Sequence, residues 1–142
     1  HRKPISMFNR SEWERYFSQA MHTIASARRD IEDGDYAWAC FKSQQAAEMA
    51  VKGFIRGHGG LATGHSVLQL LNAAADKIPE SLARCARELD KVYIPTRYPD
   101  VYDAGSPHEY FDTSDARAQT ECAGRIIDFF HELASHEPSN DP

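Results

Sequence analysis

Apolar residues recur every three or four positions along most of the chain, which is the spacing of amphipathic helices packed around a common core. The pattern predicts five helices, over residues 11–33, 35–57, 66–78, 79–92 and 114–135. No segment alternates with the period of two that marks a strand. Short connections favour antiparallel neighbours. The sequence therefore predicts an all-α fold, an antiparallel up-and-down bundle of four to five helices.

Local signals mark where these helices begin and end. Ser11, with Glu14 three residues later, has the pattern of a capping box at the start of the first helix. Gly34 is suited to the left-handed conformation that stops a helix, and Asp35 is placed to cap the next one. Pro79 suits the first turn of the fourth helix, where its missing N–H is not needed.

Length and charge limit the class of protein. The 142 residues fit one domain, which we expect to span residues 11–136 between an irregular segment, 1–10, and a disordered tail, 137–142. A net charge of −5 argues against binding of duplex DNA, which needs a basic surface. The chain has no apolar run long enough to span a membrane, and we expect a cytoplasmic protein.

Cysteine and histidine patterns do not indicate a metal site. Cys40, Cys85 and Cys122 form no CxxC pair, and an odd, scattered set predicts reduced thiols. The seven histidines include no HExxH motif, and no hydrolase triad is recognisable. The sequence thus predicts neither a metal nor a resident cofactor.

Three cations, Lys42, Lys52 and Arg56, recur at helical steps along one side of the second helix, with Glu48 as the single acid near them. The row fits two interpretations. The cations complement the helix dipole on a solvated face, or they form an anion site, above all for phosphate. His65, at the predicted start of the third helix, lies where backbone amides can also meet an anion.

The segment 93–111 is a long loop rich in proline and aromatic residues. Its aromatics surround Arg97, so the loop is either a cover over one end of the bundle or a ligand site. In a ligand site, Tyr98 would stack on a base while Arg97 holds a phosphate. We expect Arg97 to converge with Lys52 on a single pocket.

The last helix is apolar over two adjacent stripes, although one stripe is enough to face a core. The second stripe indicates either a central helix or a surface buried against another copy of the chain, and a two-fold contact is the common form of such a surface. The predicted homodimer interface consists of Cys122, Ile126, Phe129 and Leu133.

Three motifs occur in an order that resembles the HEPN family (higher eukaryotes and prokaryotes nucleotide-binding), in particular its sacsin-type and stand-alone prokaryotic branches. They are AWACFKSQQAAE at 37–48 followed by VKGF at 51–54, GHSVLQLL at 64–71, and TRYPD at 96–100. The resemblance runs from about Ser11 to His136. It implies a helical bundle that dimerises and binds a nucleotide.

The same resemblance raises two alternatives. Some HEPN branches are metal-independent ribonuclease toxins of toxin–antitoxin pairs, with an arginine followed after four to six residues by a histidine. Arg125 and His131 match that spacing, as do Arg15 and His22, but chance alone places about two such pairs in a chain of this composition. Other members are partners of minimal nucleotidyltransferases, or modules fused to a larger chain.

The interpretation favoured by the sequence is a non-catalytic, dimeric module that binds a nucleotide such as GTP or ATP. The predicted anion and nucleotide contacts are Lys42, Lys52, Arg56, His65, Arg97 and Tyr98.

Overall fold

Helices account for most of residues 7–138, the part of the chain described by the computed structural model. Five α-helices follow one another in this part: α1 (Arg10–Asp33), α2 (Tyr36–Gly57), α3 (Val67–Ala74), α4 (Glu80–Lys91) and α5 (Thr113–Ser135). Two short 3-10 turns, Pro99–Val101 and Pro107–Glu109, interrupt the long loop before α5. No described residue belongs to a β-strand. The predicted all-α helical bundle is confirmed.

The start of α1 differs from its prediction. Asn9, and not Ser11, is the N-cap, because the Asn9 side chain accepts a hydrogen bond from the backbone N–H of Glu12 at 3.1 Å. The Ser11 hydroxyl donates to Asn9 Oδ1 at 3.0 Å. Both residues carry a side-chain oxygen suited to capping, so composition alone did not distinguish them.

The third helix is shorter than predicted and ends at Ala74. Ala75 already has extended backbone angles (φ −150°, ψ 147°), and Pro79 lies just outside α4, as its N-cap residue. A residue that precedes proline is driven out of the helical region, so Pro79 acts on Ile78, whereas α3 already ends four residues before Ile78.

The second helix lies at the centre of the bundle and contacts α1, α3 and α5. It runs antiparallel to α1, since Gly57 faces Phe8 at one end and Lys42 pairs with Asp30 at the other. It runs parallel to α5, because Phe54 meets Phe130 toward their C-terminal ends, with ring centres 5.3 Å apart, and Cys40 shares a core cluster with Ala116 toward their N-terminal ends. Alanines and glycines along α2 allow these close approaches.

The second apolar stripe of α5 is partly explained by its central position. Ile126 is fully buried within the protomer, so it is not available to a second copy, and its assignment to a dimer interface is wrong. Cys122, Phe129 and Leu133 are partly buried against the core. For these three residues the interface stays a prediction.

The prediction of reduced thiols is wrong for two cysteines. Cys85 of α4 and Cys122 of α5 form a disulfide, with their Cα atoms 5.0 Å apart. Because 37 residues separate them, the pairing depends on how α4 packs on α5. Cys40 is fully buried. Burial, with smaller contributions from Asp115 and Asp112, raises the pKa of its thiol to about 12, so Cys40 stays neutral at physiological pH.

The two ends of the described segment meet. The backbone N–H of Phe8 donates to the carbonyl of Pro138 at 3.1 Å, and the Phe8 ring is buried. Most of the predicted irregular segment and disordered tail, residues 1–6 and 139–142, lies outside the described residues. Between residues 7 and 138, no helix has the length and apolarity needed to cross a membrane.

Candidate anion-binding site

Two cations of the predicted row are paired with carboxylates of α1. Lys42 Nζ lies 2.8 Å from Asp30 Oδ2 and donates to the Ser26 hydroxyl at 2.9 Å. Arg56 Nη2 lies 3.3 Å from Glu12 Oε2. Glu48 is therefore not the only acid near the row. Lys42 and Arg56 thus join α1 to α2, each through an ion pair.

The remaining cation of the row, Lys52, belongs to a buried polar cluster around Glu48. The Glu48 side chain is only 4% exposed, and its Oε2 lies 3.1 Å from Lys52 Nζ. Its Oε1 lies 3.0 Å from His65 Nδ1 and accepts from Gln44 Nε2 at 3.2 Å. One nitrogen of the His65 ring is therefore engaged by Glu48, and the His65 side chain is 56% exposed.

Arg97 is held by aromatic rings. Its guanidinium carbon lies 4.3 Å from the ring centre of Phe41, 4.5 Å from that of Tyr93 and 4.9 Å from that of Tyr98. Both Nε and Nη2 donate to the Tyr93 carbonyl, at 3.0 and 2.8 Å. No carboxylate of residues 7–138 forms an ion pair with Arg97, so its charge is opposed mainly by ring faces.

Arg97 faces a small cavity at the N-terminus of α2. The cavity has a volume of about 180 Å³ and is lined by Asp35, Tyr36, Ala37, Trp38, Thr96, Arg97, Pro107 and His108. Asp35 precedes the helix but its side chain makes no capping hydrogen bond. The first turn of α2 thus contributes the positive end of its dipole next to a guanidinium, an arrangement that favours an anion.

Within the protomer, Lys52 and Arg97 do not share the predicted single pocket, because they line different cavities. They nevertheless belong to one chain of contacts. Glu48 joins Lys52 to His65, the His65 ring stacks on Tyr93 with centres 4.9 Å apart, and Tyr93 contacts Arg97. Of the six predicted contacts, only Arg97 lines the cavity at the N-terminus of α2, and the ring of Tyr98, which is 45% exposed, lies 4.9 Å from its guanidinium carbon.

The long loop before α5 is held in place by contacts between its own residues. The rings of Tyr102 and Tyr110 stack with centres 4.0 Å apart, and the Tyr102 hydroxyl donates to the Pro95 carbonyl at 2.8 Å. Burial, followed by the neighbouring Tyr110, raises the pKa of Tyr102. This packing fixes the position of the segment that carries Arg97.

The alternative ribonuclease pair is not brought together within the protomer. Arg125 lies beside a groove on the α4 side of α5, together with Phe129 and Asp128. The His131 ring stacks on Phe17 of α1, with centres 4.7 Å apart, and so lies on another side of α5. Within residues 7–138, no three His, Cys, Asp or Glu side chains are grouped in a way that could hold a metal ion.

Sequence reasoning missed several residues of the Arg97 site. Phe41 and Trp38 stand out in the sequence only as part of a motif, and neither Thr96 nor His108 has a recognisable signal of its own. The contact between Glu48 and Lys52 has a signal, the spacing of four residues in a helix. The ion pairs of α2 with Glu12 and Asp30 have none, since they depend on the register between two helices.

Comparisons with known proteins agree on one family. The sequence model of the HEPN domain matches residues 13–133. A crystal structure of a protein from Thermus thermophilus is similar over 84% of this chain and 96% of its own, with 41% identity and a TM-score of 0.82. An archaeal HEPN homologue is 39% identical over 86% of this chain and 97% of its own, with a TM-score of 0.75.

A HEPN domain protein from Thermotoga maritima is also similar. It is 36% identical over 86% of this chain and 98% of its own, with a TM-score of 0.71. No curated protein matches the chain.

Proposed function

The chain belongs to the HEPN domain family, and we propose that it is a non-catalytic module that binds a nucleotide such as ATP or GTP through Arg97. The observation that carries this proposal is the position of the Arg97 guanidinium, which has no carboxylate partner among residues 7–138 and lines the cavity at the N-terminus of α2. Arg97 takes a phosphate group there, between its free N–H groups and the first amides of α2.

The remaining parts of the nucleotide lie outside the cavity. A volume of about 180 Å³ holds phosphate groups but not a whole nucleotide. Trp38 lines the cavity and is 49% exposed, and Tyr98, whose ring lies 4.9 Å from the Arg97 guanidinium carbon, is 45% exposed. Both rings therefore have accessible surface for a base. Stacking on aromatic side chains is tolerant of base identity, so this site favours neither ATP nor GTP.

Replacing Arg97 tests the proposal. We expect Arg97→Ala to weaken ATP and GTP binding about tenfold or more, because a charge-assisted contact to phosphate is lost. Asp35→Asn should have the opposite effect and tighten binding, since it removes the acid from the cavity lining. Titration calorimetry at several salt concentrations measures both changes.

The matched control is Arg87→Ala, which removes an exposed arginine of α4 paired with Glu80. Its nucleotide affinity should equal that of the unmodified protein. An affinity that does not respond to Arg97→Ala, or the absence of any binding heat at millimolar nucleotide, contradicts the proposal.

We further propose that the module is a homodimer that uses the exposed side of α5. Phe129 borders a shallow groove between α4 and α5, and Leu133 lies one turn further along the same side. Sedimentation at micromolar concentration should give a dimer, and Phe129→Glu should shift it to a monomer with unchanged helix content. If the unmodified protein is a monomer, this assembly is contradicted. The surface of α5 would then be free for a nucleotidyltransferase or a fused domain.

A further inference from the structure

A groove between α1 and α2 lies apart from the Arg97 cavity. It has a volume of about 430 Å³ and is lined by Arg15, Tyr16, Gln19, Met49, Lys52 and Ala62. This volume falls within the usual range of small-molecule sites, unlike that of the cavity beside Arg97. The groove therefore has room for a whole small ligand.

The charges beside this groove are not balanced. Arg15 Nη1 lies 2.7 Å from Glu12 Oε1, and Arg56 Nη2 lies 3.3 Å from Glu12 Oε2, so the two arginines share one carboxylate. Lys52 is already paired with Glu48. One positive charge therefore remains uncompensated among these five side chains, in a chain whose net charge is −5.

The groove also combines polar and apolar surfaces. The Arg15 side chain is 77% exposed, so its guanidinium can reorient toward a ligand while Arg56 keeps Glu12. Gln19 and the Tyr16 hydroxyl provide further hydrogen-bonding groups, and Met49 and Ala62 provide apolar surface. A ligand that contacts both the polar and the apolar surface of the groove has an anionic group and a flat, apolar body.

We propose that this groove is a second anion site, which binds a small organic phosphate carrying a flat apolar group. Phosphate fits because a guanidinium recognises it through two parallel hydrogen bonds, and the Lys52 ammonium lies in the same lining. Met49 and the Tyr16 ring contact the apolar body. The ligand at this site does not require Arg97.

The test uses phenyl phosphate as the probe and the methyl group of Met49 as the reporter. In NMR titrations of the full chain, the Met49 methyl signal should shift and saturate with millimolar phenyl phosphate. The signals of Met7 and Met21, which do not line the groove, should stay in place. Inorganic phosphate and phenol should each bind more weakly than phenyl phosphate, because the first has only the anionic group and the second only the aromatic ring.

Matched charge variants on α1 locate the site. Arg15→Gln should weaken phenyl phosphate binding about fivefold, whereas Arg29→Gln, an exposed arginine of the same helix, should change it less than about twofold. Glu12→Gln should tighten binding, since both arginines lose their carboxylate. Arg97→Ala should leave it unchanged, which separates this site from the nucleotide site. A stationary Met49 signal, or an Arg15→Gln variant that binds as tightly as the unmodified protein, overturns the proposal.

Discussion

Gly53→Ala should lower the free energy of unfolding by about 2–3 kcal/mol, the effect of overpacking a tightly filled contact. Gly53 is buried where α2 crosses α1, and a Cβ atom there would overlap the Tyr16 Cβ and lie 3.3 Å from the Trp13 ring. The obstacle is the first atom of the Tyr16 side chain, which moves only if α1 moves. Urea unfolding followed by circular dichroism measures the change.

Gly124→Ala provides the matched control, as a glycine-to-alanine change inside α5. Here the nearest atom to an added Cβ is Arg28 Nη2 at 3.7 Å, an ordinary contact with a flexible side chain. Alanine is the better helix former, so this variant should be more stable than the unmodified protein by up to about 1 kcal/mol. Equal stability of the two variants would contradict the close approach of α1 to α2.

The long helices could be predicted from the sequence because each carries several turns of a regular apolar stripe. The predicted and observed limits of α2 and α5 differ by about one residue. The prediction was wrong where the signal is only a few residues long, as at the cap of α1 and the end of α3. At these places Asn9 competes with Ser11, and the backbone is already extended at Ala75, four residues before Pro79.

The candidate site was harder to predict because spacing along one helix does not indicate what the neighbouring helices present. Lys42 and Arg56 were correctly placed on one side of α2, but that side faces acids of α1. Arg97 was identified from the aromatic residues around it in sequence, and the cation–π contacts follow from the same feature. The disulfide between Cys85 and Cys122 depended on a contact between α4 and α5 that no local pattern encodes.

Glu48→Ala should be the most damaging change in the polar cluster and should lower the free energy of unfolding by about 3–5 kcal/mol. The Lys52 side chain is only 16% exposed, so removing its carboxylate partner leaves a largely buried, uncompensated charge. Gln44, fully buried, also loses an acceptor, although its Nε2 still donates to the His65 carbonyl at 2.8 Å. The His65 ring also loses its hydrogen-bond partner on α2, so the segment before α3 is held less firmly.

A second helical acid–lysine pair separates the effect of burial from that of charge. Glu88 and Lys91 of α4 lie 3.0 Å apart but are 47% and 69% exposed, so Glu88→Ala should change stability by less than about 1 kcal/mol. The double variant Glu48→Leu with Lys52→Met removes both buried charges and should recover much of the loss of Glu48→Ala, because no uncompensated charge remains. If Glu48→Ala is no more destabilising than Glu88→Ala in urea unfolding, the buried cluster does not stabilise the junction of α2 with the segment before α3.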